Sequence, residues 1–248
     1  IGKFFHAKEL GLYSQAEKLQ NIPSGCLTDV VGRILFPVLS KVQDNDDKLR
    51  YIYGKIIGIT FYLIAPVMIF CIIQGTNIFN VILPSKWMKA ALYFQILSVY
   101  GLLYPLQAIN VNILLAKGYS KQSFYLEMIR KTLLITFLFS AIPFGIVGVV
   151  IGKVLYAIIV LFINMYFCGK PIQLTIKTQL KQILPTILLC FASIAPVSYI
   201  AYTANFSKIS QLLFTITTST IIYLAISYIV KYECFTEIFT ILKQRREK

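Results

Sequence analysis

Long apolar stretches separated by short polar connections dominate the chain. A helix that spans a bilayer needs about 20 consecutive, mostly apolar residues. Six stretches meet this requirement, and the connections hold the prolines, glycines and charged residues typical of turns. The predicted spans lie near residues 53–74, 89–115, 125–142, 146–167, 183–202 and 209–230. No hydrophilic insertion is long enough to form a separate domain, so we expect residues 1–248 to form a single transmembrane domain.

A seventh segment, residues 11–42, has a different pattern, because polar residues recur along it every three or four positions. Its polar positions are Ser14, Glu17, Lys18, Asn21, Thr28, Asp29 and Arg33, with Gly25 and Gly32 on the same side. This spacing predicts an amphipathic helix. Such a helix either crosses the bilayer with its polar stripe turned inward or lies flat at the interface. We expect it to cross, which gives an all-α, polytopic helix bundle of about seven spans.

The composition agrees with a membrane protein. Hydrophobic residues make up 57% of the chain and charged residues 14%, against about 45–50% and 25% in soluble proteins. The mean hydropathy is +0.72. These values exclude a disordered chain, a secreted disulfide scaffold and a typical soluble enzyme.

The net charge is +14. Most of the Lys and Arg residues lie outside the apolar stretches, in the connections and terminal segments. If all seven segments span, sixteen of these residues lie on one side of the membrane and five on the other. The positive-inside rule then places the carboxyl terminus, with a basic tail at residues 231–248, in the cytoplasm. A nucleic-acid interface is not favoured, because it would need these cations on one exposed face.

Asp29 and Arg33 are the most informative charged residues, since they lie four apart within a predicted span. Charges near the bilayer centre are costly and face a bundle interior or an aqueous cavity. One interpretation is an ion pair that lets the helix insert. The other is a cavity wall, in which Arg33 binds an anion such as phosphate and Asp29 binds a coupling ion.

Other polar residues within the spans are weaker candidates for the same cavity. Lys153 either reaches a lipid headgroup or faces the cavity of Arg33. Gln95, Gln107 and Asn110 either stabilise the bundle through hydrogen bonds between helices or bind sugar hydroxyls. Glu17 and Lys18 lie nearer the end of their helix, so they are secondary candidates. Two GxxxG motifs, 54–58 and 148–152, are typical of close helix packing.

Enzymatic chemistry finds little support in the sequence. His6 is the only histidine, so neither a Ser/His/Asp triad nor an HExxH site can form within this chain. There is no P-loop motif and no CxxC motif. We therefore predict neither a metal nor a cofactor, and we predict no catalytic residue.

Several short motifs resemble a known family. They are the segments 10–16 (LGLYSQA), 21–23 (NIP), 33–40 (RILFPVLS), 43–44 (QD), 86–87 (KW) and 114–118 (LLAKG). These residues are similar to the polysaccharide (O-antigen) flippases of the multidrug/oligosaccharidyl-lipid/polysaccharide exporter superfamily. The resemblance covers residues 1–135, and beyond them only the hydropathy agrees.

The resemblance implies a transporter of fourteen helices in two bundles of seven, of which this chain would be the carboxyl-terminal half. Family members move undecaprenyl-diphosphate-linked sugar repeats across the bacterial inner membrane by alternating access. The implied partners are the lipid-linked oligosaccharide, membrane lipids and the amino-terminal half of the same transporter. The resemblance does not itself assign Arg33 to the substrate or Asp29 to an ion.

Two other functions remain open. A cation-coupled multidrug exporter of the same superfamily would favour an acidic cavity, whereas the candidates here are mostly cationic or amide. A membrane-embedded transferase or polymerase of cell-envelope glycans would need larger loops than this chain has.

Overall fold

Eight α-helices make up the fold of the computed structural model, which describes residues 5–204 and 206–246, the last six without their side chains. The helices are α1 (Ala7–Ser40), α2 (Asp46–Ile82), α3 (Ala90–Ala116), α4 (Ser120–Ala141), α5 (Gly145–Gly169), α6 (Ile176–Thr203), α7 (Lys208–Ile229) and α8 (Glu233–Arg246). Short 3₁₀ turns at Ser85–Trp87, Ile142–Phe144 and Lys170–Ile172 connect some of them. No strand occurs among these described residues. The prediction of an all-α bundle is confirmed.

The chain is a multi-pass membrane protein. Six candidate spans are long and apolar enough to cross a bilayer, and one of them, Ser120–Ile172, comprises both α4 and α5. At a rise of 1.5 Å per residue, the 22 residues of α4 extend about 33 Å, enough to cross alone. The backbone reverses between the two helices at Gly145, whose φ of 73° favours glycine. Each of the helices α1 to α7 is therefore long enough to cross a bilayer.

The helices extend beyond the predicted apolar windows because their ends carry polar caps. The helix α2 begins at Asp46, seven residues before the apolar stretch. Asn45 caps it, and its side-chain oxygen accepts a hydrogen bond from the Lys48 amide at 3.0 Å. Thr175 and Ser207 cap α6 and α7 in the same way.

The helix α3 lies at the centre of the bundle and packs against α1, α2 and α5. Large side chains such as Phe61, Met68 and Leu106 form a fully buried core around it. The GxxxG motif 148–152 supports close approach of α5 to the end of α4, since a Cβ at Gly152 would lie 3.0 Å from the Ala141 Cβ. The packing interpretation of this motif is confirmed.

Buried polar side chains connect the helices within this core. The hydroxyl of Tyr53 in α2 donates to the side-chain oxygen of Asn110 in α3, and it lies 3.3 Å from Gln179 of α6. Tyr62 of α2 donates to Ser227 of α7 at 2.9 Å. Polar groups inside a membrane bundle need such partners, because lipid offers none.

The segment 231–248, expected only as a basic tail, contains the additional helix α8. Lys55 of α2 forms an ion pair of 2.8 Å with Glu237 of α8. Phe235 and Ile238 pack against the core. The last two residues of the expected tail, 247–248, lie outside the described residues.

Candidate functional site

The polar stripe of α1 lies on a face of the helix that the rest of the chain leaves uncovered. Ser14, Lys18, Asn21, Asp29 and Arg33 are all exposed. The helix packs on its other side against α3 and α2. An uncovered row of polar side chains along a membrane-spanning helix requires water or a polar partner in front of it. We refer to these five residues as the α1 stripe.

Asp29 and Arg33 lie one helical turn apart on the α1 stripe, yet no salt bridge joins them in the part of the chain that the structure describes. The arrangement leaves the Arg33 guanidinium, with its planar set of donors, available to a ligand.

The middle of α1 packs loosely against the bundle. Buried residues occur up to Ser24 and again from Leu35, but none of residues 25–34 is buried. A Cβ added at Gly25 or Gly32 would meet nothing within 4 Å. Pro23 also lies inside the helix near the start of this segment. The segment that carries Asp29 and Arg33 therefore has space in front of it.

The apolar residues of α1 are only partly buried. Ile22, Val30 and Ile34 are exposed, although apolar positions of an amphipathic helix are expected to pack. The physical reason is that α3 and α2 cover only one flank of α1, which leaves the remaining apolar positions for lipid or for another polypeptide segment.

Glu17 and Lys153 are brought together by the fold, although they lie 136 residues apart in the chain. The Lys153 ammonium forms an ion pair with Glu17. The Tyr13 hydroxyl donates to the same carboxylate at 3.0 Å. Lys153 also lies over the ring of Tyr100, 4.6 Å from its centroid, where the π electrons attract a cation. This group links α1, α3 and α5.

Lys153 and Arg33 do not share a site. Glu17 and Arg33 are 16 residues apart on α1, which corresponds to about 24 Å along the helix axis. Lys153 instead lines a cavity of about 300 Å³ with Tyr13, Tyr100 and Tyr156. Leu134, Phe137 and Leu138 of α4 form the apolar wall of this cavity.

The three amide candidates lie inside the bundle. Gln107 is buried and donates to the Ala157 carbonyl of α5 at 3.1 Å. Asn110 is fully buried and contacts Tyr53. Gln95 donates to the Ile72 carbonyl of α2 at 2.8 Å. These contacts favour the alternative in which the amides stabilise the bundle.

The sequence interpretation missed the tyrosines around Lys153. Tyr13, Tyr100 and Tyr156 come from three different helices, and aromatic residues are frequent in every span, so no local pattern singles them out. The described residues contain no group of His, Cys, Asp or Glu that could hold a metal ion.

Comparisons with known proteins agree with the resemblance seen in the sequence. Residues 1–92 match the family model described as "Polysaccharide biosynthesis protein". The chain is 24% identical over 203 residues to the lipopolysaccharide biosynthesis protein WzxC of Escherichia coli (strain K12), which covers 82% of this chain and 41% of the relative. It is 26% identical over 207 residues to the teichuronic acid biosynthesis protein TuaB of Bacillus subtilis (strain 168), covering 84% of this chain and 42% of the relative.

A solved structure has the same fold. The lipid II flippase MurJ, in an inward closed conformation, superposes with a TM-score of 0.70 at 17% identity over 91% of this chain and 48% of that chain. The chain spans about two fifths of the length of the two curated relatives. The predicted resemblance to the polysaccharide flippases is confirmed.

Proposed function

We propose that this chain is the carboxyl-terminal half of a flippase that moves a lipid-linked oligosaccharide across the bacterial inner membrane by alternating access. Its substrate would be an undecaprenyl-diphosphate-linked repeat unit of O-antigen, capsule or exopolysaccharide. Its partner would be the amino-terminal half of the same transporter. The carboxyl terminus and α8 would lie in the cytoplasm, on the side with more Lys and Arg.

The α1 stripe is the observation that carries this proposal. It is a row of exposed polar and charged side chains on a helix that is otherwise apolar enough to span a membrane. Facing lipid, such a row would be costly, but facing a second bundle across an aqueous cavity it would be solvated. The lengths and names of the relatives support a missing second half and a polysaccharide-related substrate.

Arg33 is the residue that we assign to the anionic part of the substrate. Its guanidinium is exposed and has no ion-pair partner among the described residues. A guanidinium binds phosphate oxygens through two parallel hydrogen bonds, whereas an ammonium provides only a point charge. Asn21 and Ser14, on the same face, would offer hydrogen bonds to sugar hydroxyls.

A substitution of Arg33 in the full-length transporter tests this assignment. We expect Arg33→Ala to reduce surface polysaccharide by at least tenfold, because losing one charge-assisted phosphate contact costs about 1.5–3 kcal/mol. Arg33→Lys should retain part of the activity. The measurement is surface polysaccharide in a strain that lacks its own flippase, at equal protein expression.

Ile34→Ala is the matched control, since Ile34 is the next residue, is 58% exposed and carries no charge. It should leave the polysaccharide unchanged. Normal polysaccharide with Arg33→Ala would contradict the role of Arg33 in binding the substrate.

A further inference from the structure

We propose that Glu17 and Lys153 form a proton-responsive centre of the transporter, in which a proton taken up by Glu17 breaks the ion pair that holds α1 to α5. The ligand of this site is the proton. The proposal rests on the transport function proposed above. It assigns the response to protons to Glu17 rather than to Asp29, the candidate for a coupling ion.

The position of the pair makes it suitable for this role. Both residues belong to membrane-spanning helices, where ionisable side chains are rare and costly. Their side chains are 31% and 19% exposed for Glu17 and Lys153 respectively. Glu17 is therefore partly uncovered by the rest of the chain, while the pair still lies in surroundings that strengthen the attraction between its charges.

The other polar groups near the pair come from α1, α3, α4 and α5. Tyr13 of α1 donates to the Glu17 carboxylate. Tyr100 of α3 lies beside the Lys153 ammonium, and Tyr156 of α5 lines the same cavity. On α4, Arg130 lies beside Tyr156 and is paired with Glu127 at 3.1 Å. Glu17 is the only carboxylate that the described contacts place on Lys153.

Proton uptake changes the net charge of this site and breaks its ion pair. With Glu17 ionised, the pair is neutral. When a proton adds to a carboxylate oxygen, Glu17 becomes a neutral acid and the site has a net charge of +1 on Lys153. An unpaired cation in a membrane bundle is unfavourable. Protonation of Glu17 therefore removes the attraction that holds Lys153 of α5 against α1. When the proton leaves to the other side, the pair forms again.

The structure of α1 allows such a movement. The pair anchors the amino-terminal part of the helix, whereas residues 25–34 contribute no buried side chain. A change at Glu17 can therefore alter how the loosely packed segment, with Asp29 and Arg33, faces the cavity.

Transport by the full-length protein in vesicles, measured with and without a pH gradient, tests this proposal. Glu17→Gln should translocate lipid-linked oligosaccharide at a rate that no longer responds to the gradient. The double variant Glu17→Gln with Lys153→Met should behave the same way, and it leaves no unpaired charge that could prevent folding.

A matched variant on the same helix tests whether the effect is specific to Glu17. Glu9→Gln, at an exposed position, should retain the response to the gradient. A response that survives Glu17→Gln and the double variant would overturn the proposal, as would a response lost only in Asp29→Asn. Wild-type protein that translocates nothing would instead contradict the proposed function.

A distance measurement gives a readout that does not require transport. Spin labels at the exposed positions Ser14 on α1 and Leu155 on α5 should move apart as the pH falls. The change should be absent in Glu17→Gln. An identical distance at all pH values in wild-type protein would overturn the proposal.

Discussion

Individual polar residues within the spans fall into two groups that sequence alone does not separate. The charged residues of the α1 stripe face open space, whereas Gln107 and Asn110 of α3 are buried against neighbouring helices. An amide in an apolar span is compatible with both positions, because its spacing along the helix does not reveal which neighbours cover that face. The sequence shows that the spans contain polar residues, but the partners of these residues could not be predicted from it.

The buried hydroxyl of Tyr53 gives a prediction at this scale. Tyr53→Phe removes the donor to Asn110 and leaves a buried oxygen with one partner fewer. We expect the free energy of unfolding in detergent to fall by about 1–2 kcal/mol, with unchanged substrate affinity. Tyr51→Phe, at a position that is 62% exposed, is the control and should have little effect. Weaker substrate binding at unchanged stability would place this cluster in the transport cavity.

At the scale of elements, hydropathy identified the lipid-embedded part of each helix but not its full length. The stretch 53–74 predicts only the centre of α2, which extends over Asp46–Ile82. The ends of this helix were missed because they are too polar to count as part of an apolar stretch. The 14 residues of α8 escaped detection for a related reason. This helix buries only a narrow apolar face, including Cys234 and Phe235, against α2 and its neighbours.

Cys234 reports whether α8 stays docked. Burial raises the pKa of the Cys234 thiol to about 11, and Glu237 and Glu233 add to the effect. Since the thiolate is the reactive form, alkylation in the folded protein should be slow at pH 7–8 and accelerate as the pH approaches 11. Mass spectrometry of iodoacetamide-treated protein measures the rate.

Glu237→Gln, which removes the ion pair with Lys55, should accelerate alkylation of Cys234 at pH 8, because it loosens α8 and removes a nearby negative charge. Protein denatured in SDS gives the rate for the undocked thiol. Equal rates in folded and denatured wild-type protein would show that α8 is not docked in the membrane-bound protein.

For the whole molecule, the bundle class and the position of the polar helix could be predicted from the sequence, and the resemblance supplied the expectation of a second half. The pairing of Glu17 with Lys153 could not, because it depends on how α1 and α5 are arranged around α3. The α1 stripe acquires a function only if another bundle closes a cavity in front of it. The uncovered flank of α1 is consistent with this requirement.

Cysteine labelling of the α1 stripe in the full-length transporter tests this central claim most directly. Single cysteines replacing Lys18, Asn21, Asp29 or Arg33 in a cysteine-free background should react with a water-soluble, membrane-impermeant thiol reagent. Cysteines at the apolar exposed positions Leu188 and Ile221 should not react. Lipid-linked oligosaccharide should slow the reaction at position 29, one helical turn from the intact Arg33. Stripe positions as unreactive as Leu188 and Ile221 would show that α1 faces lipid, and the account of a shared aqueous pathway would be wrong.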